Sequence, residues 1–164
     1  MYKKILVATD GSTLSKKAIN SAIALAEVHG ASLIAIKVIP RFTQTYFEGS
    51  IPVNTGEIDK IEKSWADNAH KQLDKVAKDA KVHLVAVKTV VVKSDSVSDA
   101  LVATAKKNKV DLIVMASHGR KGIKRLLLGS ETQQVLTHTT LPVLVVRLVQ
   151  TRPRLFVFTL EASD

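Results

Sequence analysis

Two short stretches carry residue types that could handle a phosphorylated ligand. Asp10 follows the apolar run Ile5 to Ala8 and precedes Gly11-Ser12, so a carboxylate stands where a buried strand gives way to a helical pattern. From there it can accept from a ribose hydroxyl or hold Mg²⁺ through water. The plainer role for the same residue is helix entry, where a negative charge favours the N-terminal dipole. The second stretch, Ser117 to Gly129, is rich in glycine and cations (Gly119, Arg120, Lys121, Gly122, Lys124, Arg125) and ends at Gly129-Ser130 ahead of another helix. Ser130 reads as its N-cap, with Gln133 closing a capping box. A helix N-terminus leaves N–H groups outside the helical ladder, and glycines let a backbone approach closely enough to use them. Strand, glycine loop and capped helix together make a phosphate cradle.

Other chemistries are poorly supported. The chain contains neither G-x-x-x-x-G-K-[ST] nor G-x-G-x-x-G, which removes the P-loop and the dinucleotide fingerprint. His118 lies in the cationic loop without a paired carboxylate or an oriented nucleophile, so it reads as a loop histidine and not a general base. His29, His70, His83 and His138 lack metal-ligand spacing, and the absence of cysteine excludes disulfides, thiol nucleophiles and zinc-thiolate sites. The net charge of +9 would attract polyanions, but the lysines are scattered along helical segments and no aromatic platform accompanies them. They read as solvated faces, with no specific nucleic-acid partner expected. No run reaches the roughly 18 apolar residues of a membrane span, and MYKKILVATD reads as a strand, so a cytoplasmic protein is expected.

The elements that must position these residues follow from periodicity. After the first strand, Ser12 or Thr13 caps a helix with Leu14, Ala18, Ala22, Ile23, Leu25 and Ala26 on one face, and Gly30 ends it. Ala31 to Ile39 is a second strand. Arg41 to Gly56 is a long non-periodic segment, expected from its length to be functional or mobile. Glu57 to Ala80 repeats apolar residues every three or four positions, which predicts an amphipathic helix with Trp65 in the core. Val82 to Val92 predicts a third strand. Ser96 and Asp99 form a capping box opening a helix to about Asn108, and Val110 to Ala116 is the fourth strand. A helix over about Glu131 to His138 and a strand over Val143 to Val146 complete the chain. Strict alternation of strand and helix argues for an open, parallel, doubly wound sheet of five strands, in one domain with an aliphatic core.

The spacing Ala116-Ser117-His118-Gly119, nine residues, Gly129-Ser130 resembles the G-x2-G-x9-G-[ST] motif of the universal stress protein family, in its ATP-binding subgroup. The resemblance runs from KKILVATDGS to LPVLVV, about residues 1–147, and leaves 148–164 as a C-terminal extension. It implies a Rossmann-like, adenine nucleotide alpha hydrolase-like fold with strand order 3-2-1-4-5, which sets Asp10 beside Gly119. It also implies ATP, AMP or ADP as ligand, with Mg²⁺ near Asp10. The main chain of Val38 would meet the adenine edge, and Ala8, Thr9 and Met115 would line the base pocket. Gly119, Gly129, Ser130 and the N–H of Glu131 would hold phosphates, while one or two of His118, Arg120, Lys121, Lys124 and Arg125 neutralise charge. Ala116 departs from the motif, since the family has glycine there; if that position needs positive φ, the strain is on the order of 1 kcal/mol.

The function expected is a nucleotide-binding stress-response switch, homodimeric through the fifth strand, with at most slow ATP hydrolysis because nothing positions an attacking water. The alternatives are a dimeric interaction protein that binds no nucleotide, an adenylating or phosphate-transferring enzyme on a related scaffold, and a receiver domain. The last is weak, because Asp10 has no adjacent acidic partner. The extension LVQTRPRLFVFTLEASD is apolar on both faces over Leu155 to Leu160 apart from Thr159, and reads as a partner contact or a frayed end.

Overall fold

The apolar runs form a single parallel sheet in the computed structural model, which describes residues 1–41, 55–119 and 128–147. In chain order the elements are β1 (Lys4–Ala8), α1 (Thr13–His29), β2 (Ser32–Ile39), α2 (Thr55–Val82), β3 (Val87–Lys93), α3 (Val97–Lys107), β4 (Leu112–Ala116), α4 (Ser130–His138) and β5 (Val143–Val146). The strand order is β3-β2-β1-β4-β5 and every pairing is parallel, as expected. Ile5, Leu6 and Val7 of β1 and Ile113 and Val114 of β4 are fully buried, as central strands covered on both faces must be.

Alternation of side chains along each strand splits the core into two layers. Ile5, Val7, Leu33 and Val114 face one way, against Ala18, Ala22 and Ala26 of α1 and Leu73, Val76 and Ala80 of α2. The alanines recur every four residues, so α1 presents a smooth stripe that can lie close to the sheet. Leu6, Ile36, Ile113 and Met115 face the other way, against Leu101 and Ala105 of α3 and Val135 of α4.

Three helices return to the sheet through one device. The residue that closes each helix adopts left-handed φ: Gly30 (62°), Leu84 (57°) and Lys109 (54°). Its N–H bonds back three residues and the next N–H bonds back five, as in Lys109 N to Lys106 O (3.1 Å) and Val110 N to Ala105 O (3.0 Å). This satisfies carbonyls the helix end would otherwise leave open.

Several boundaries differ from expectation. The segment Val82 to Ala86 is not strand: α2 continues through Val82, and Leu84 and Val85 form the helix closure, so β3 begins only at Val87. Val82 and Leu84 are apolar but 81% and 95% exposed, which is why periodicity misled there. Trp65 is only half-buried and outside both core layers. At 1.5 Å per residue α2 is about 42 Å long, against about 23 Å for β3, so its first half overhangs the sheet. The Ser96 capping box is half formed: Ser96 Oγ accepts from Asp99 N (3.3 Å), while Ser96 N donates to Ser94 Oγ (3.2 Å). Of the segment Arg41 to Gly56, Thr55 and Gly56 open α2, and Arg41 N donates to Asp95 Oδ1 (3.2 Å). Residues 42–54 and the extension 148–164 lie outside the described residues. Among the described residues no helix is long and apolar enough to cross a membrane.

The shared helix closure predicts substitutions of opposite sign. Gly30→Ala should destabilise the chain by about 1 kcal/mol, and Lys109→Gly, at an exposed site, should stabilise it by up to about 1 kcal/mol. Urea unfolding midpoints at unchanged slope measure both; shifts in the same direction would refute the account of these turns.

Candidate functional site

β1 and β4 lie side by side, with Leu6 opposite Ile113 and Val7 opposite Val114. From β1 the chain turns to α1 on one face, and from β4 to α4 on the other, so the two loops diverge and leave a crevice above the strands' carboxyl ends. Asp10 and Gly119 meet there. A Cβ on Gly119 would stand 3.1 Å from Asp10 Oδ2, so the carboxylate comes as near as a glycine allows. Asp10 Oδ1 accepts from Ser12 N (2.9 Å), and Ser12 in turn caps α1 through Ser15 N (3.1 Å). The helix-entry role of Asp10 is therefore present, and it orients the carboxylate toward the crevice.

The start of α4 is built differently from expectation. Gly129, not Ser130, is the N-cap; its backbone is extended (φ −63°, ψ 155°) and no side chain caps the helix. The reason is tethering: Gly129 N donates to Ser117 O (2.8 Å), which holds it outside the helix and makes Ser130 the first helical residue. Gln133 closes no box; its Nε2 donates to Leu128 O (3.0 Å) and its backbone N to Gly129 O (3.0 Å). That last bond is the first within the helix, so the N–H groups of Ser130 and Glu131 precede the helical ladder. Gly129 is required by closeness and not by φ, since a Cβ would come within 3.2 Å of His118 Cα and Cβ.

Thr132 makes the second tether. Its hydroxyl, on a residue 1% exposed, donates to Ala116 O (3.1 Å) and Ser117 O (3.2 Å). Glu131 turns sideways: its Oε2 accepts from Ser98 N (3.2 Å) at the start of α3, and Ser98 Oγ donates to Gln134 Oε1 (2.8 Å). The carboxylate beside the α4 amides is thereby engaged with the amide end of another helix, which favours negative charge.

On the adjoining face, Ala8 and Val38 are half-buried and pack on the α3/α4 side of the sheet, where Met115 lies beneath at 5% exposure. Thr9 is buried; its hydroxyl lies 3.2 Å from Ser15 Oγ and accepts from Gly11 N (3.1 Å). Ala116 ends β4 opposite Val146. Among the described residues only Gly11, Gly30, Leu84 and Lys109 have positive φ, so alanine at 116 carries no backbone strain. His118 Nδ1 lies 3.0 Å from Ser117 Oγ. Arg120, with Lys121, Lys124 and Arg125, lies outside the described residues. Among the described residues no group of three or more His, Asp or Glu could hold a metal alone, so an ion at Asp10 would need phosphate oxygens and water to complete its shell. Asp10, Gly119, Gly129 and the Ser130–Glu131 amides thus converge, with Ala8 and Val38 on the adjoining face. Sequence reasoning missed Thr132, Ser98 and Gln134. The available signal was Thr132 itself, a hydroxyl three residues before Val135 on the apolar side of α4, where a buried hydroxyl needs an acceptor.

Residues 1–147 match the model of the Universal stress protein family. Universal stress protein MJ0531 of Methanocaldococcus jannaschii is 34% identical over 151 residues, which cover 90% of this chain and 83% of that protein. Among solved structures, protein MJ0577 of the same organism superposes with a TM-score of 0.78 at 27% identity, covering 92% of this chain and 99% of that one. A universal stress protein solved in complex with cAMP superposes with a TM-score of 0.65 at 27% identity, covering 88% and 97%. The chain belongs to the universal stress protein family.

Proposed function

We propose that this chain binds an adenine nucleotide, ATP foremost, in the crevice between the ends of β1 and β4, and that protein partners read the bound state in a cytoplasmic stress response. The observation that carries this is the convergence of the Asp10 carboxylate, Gly119 and the α4 amide end on one strand-end crevice. Phosphates would meet the N–H groups of Ser130 and Glu131, where the helix dipole favours negative charge. The base would lie against Ala8, the main chain of Val38 and Met115. Asp10 would take a ribose hydroxyl or, through water, Mg²⁺. A relative of the same fold in complex with cAMP supports an adenine ligand. Ala116, where the family motif has glycine, lies in ordinary strand geometry, which is compatible with binding. The bound state, with at most slow hydrolysis, would carry the signal.

The test is calorimetric titration of stripped, folded protein with Mg-ATP beside Gly129→Val and Asp10→Asn. Micromolar binding is expected, lost in Gly129→Val, whose side chain would enter the His118 backbone. Asp10→Asn should weaken binding about tenfold, with less difference between Mg²⁺ and EDTA. No heat from the folded wild type would refute the assignment.

A homodimer through β5 completes the proposal, because β5 is a sheet edge and Leu144 is 39% exposed. An open parallel edge with an apolar face favours pairing with a second copy. Sedimentation should give a dimer for the wild type and a monomer for Leu144→Arg; a wild-type monomer would contradict it.

A further inference from the structure

The first turn of α4 can present its amides to a ligand only if it is held at a fixed height above β4. Gly129 N to Ser117 O supplies one such bond from the backbone. The side-chain tie to β4 is the Thr132 hydroxyl, shared between Ala116 O (3.1 Å) and Ser117 O (3.2 Å) in a position 1% exposed. Thr132 is therefore buried beneath the turn that carries Ser130 and Glu131, and cannot itself touch a ligand.

We propose that Thr132 is a positioning residue for the phosphate part of the ligand: its hydroxyl locks the start of α4 onto the end of β4 and so sets where the Ser130 and Glu131 N–H groups stand relative to Gly119 and Asp10. This rests on the nucleotide assignment above and adds a division of labour within it. The base-facing residues Ala8, Val38 and Met115 belong to the sheet and its α3/α4 layer. None of the three is a partner in the Thr132 bonds, whose acceptors are Ala116 O and Ser117 O. Loss of the hydroxyl should thus weaken the grip on phosphate and leave the grip on adenosine unchanged. Removing it also strips a buried donor from two carbonyls, so the turn relaxes away from its position.

The experiment compares wild type, Thr132→Val and Thr132→Ser by calorimetry with Mg-ATP and, separately, adenosine, with thermal melts to verify folding. The expected result is a loss of about tenfold in ATP affinity for Thr132→Val, adenosine affinity within twofold of wild type, and recovery of ATP binding in Thr132→Ser. Should Thr132→Val fail to fold, Thr132→Ala carries the same comparison without the added methyl clash. Equal ATP binding in a folded Val or Ala variant would overturn the proposal while leaving the nucleotide assignment intact. So would parallel loss of ATP and adenosine, or failure of both variants to fold, which would make Thr132 a core residue only. A wild type that gives no heat with either ligand would remove the nucleotide assignment and this inference with it.

Discussion

The candidate site depends on β1 and β4 being neighbours in a parallel sheet. Residues about a hundred positions apart in the chain are brought within contact because Ile5, Leu6 and Val7 pair with Leu112, Ile113 and Val114. Each of these side chains is at most 4% exposed, and burial of a residue of this size contributes roughly 1.5–3 kcal/mol. A one-residue slip would exchange the α1/α2 layer for the α3/α4 layer along the whole strand. Register is thus fixed by the core, and the position of Asp10 beside Gly119 follows from it.

Above that frame, backbone and buried hydroxyls do the fine placement. Charged side chains near the crevice are already engaged in the fold: Asp10 takes Ser12 N–H and Glu131 takes Ser98 N–H. Under the proposed reading a helix amide end, the surface around Gly119 and the Asp10 carboxylate beside it would face the ligand, without a lysine cradle among the described residues. His118 is held at the rim of the crevice by its contact with Ser117, Nδ1 to Oγ 3.0 Å.

The fold was largely legible because parallel strands leave a strong trace: continuous aliphatic runs, alternating with amphipathic helices and ended by residues such as Gly30 and Pro40. Strand order came from the family resemblance, which the chain's own alternation cannot supply. The site was half legible. Gly119, Gly129 and Asp10 could be placed together, yet Gly129 was taken as a loop glycine when it is the N-cap, since only the bond to Ser117 O moves the helix start by one residue. Leu84 and Lys109 concealed two helix closures, because a tertiary turn can impose left-handed φ on residues that do not advertise it. Thr132 was only half visible: its place on the apolar side of α4 signals a buried hydroxyl, but its partners are carbonyls sixteen and fifteen residues earlier, which no local pattern names.

The most direct measurement is amide chemical-shift mapping of labelled protein on addition of Mg-ATP. The largest perturbations should fall on Gly119, Gly129, Ser130 and Glu131, with Ala8 to Asp10 and Val38 following, while α2 and the far ends of the strands stay unmoved. Perturbations confined to the lysine-bearing outer face of α2, or none at saturating nucleotide, would contradict the proposed site.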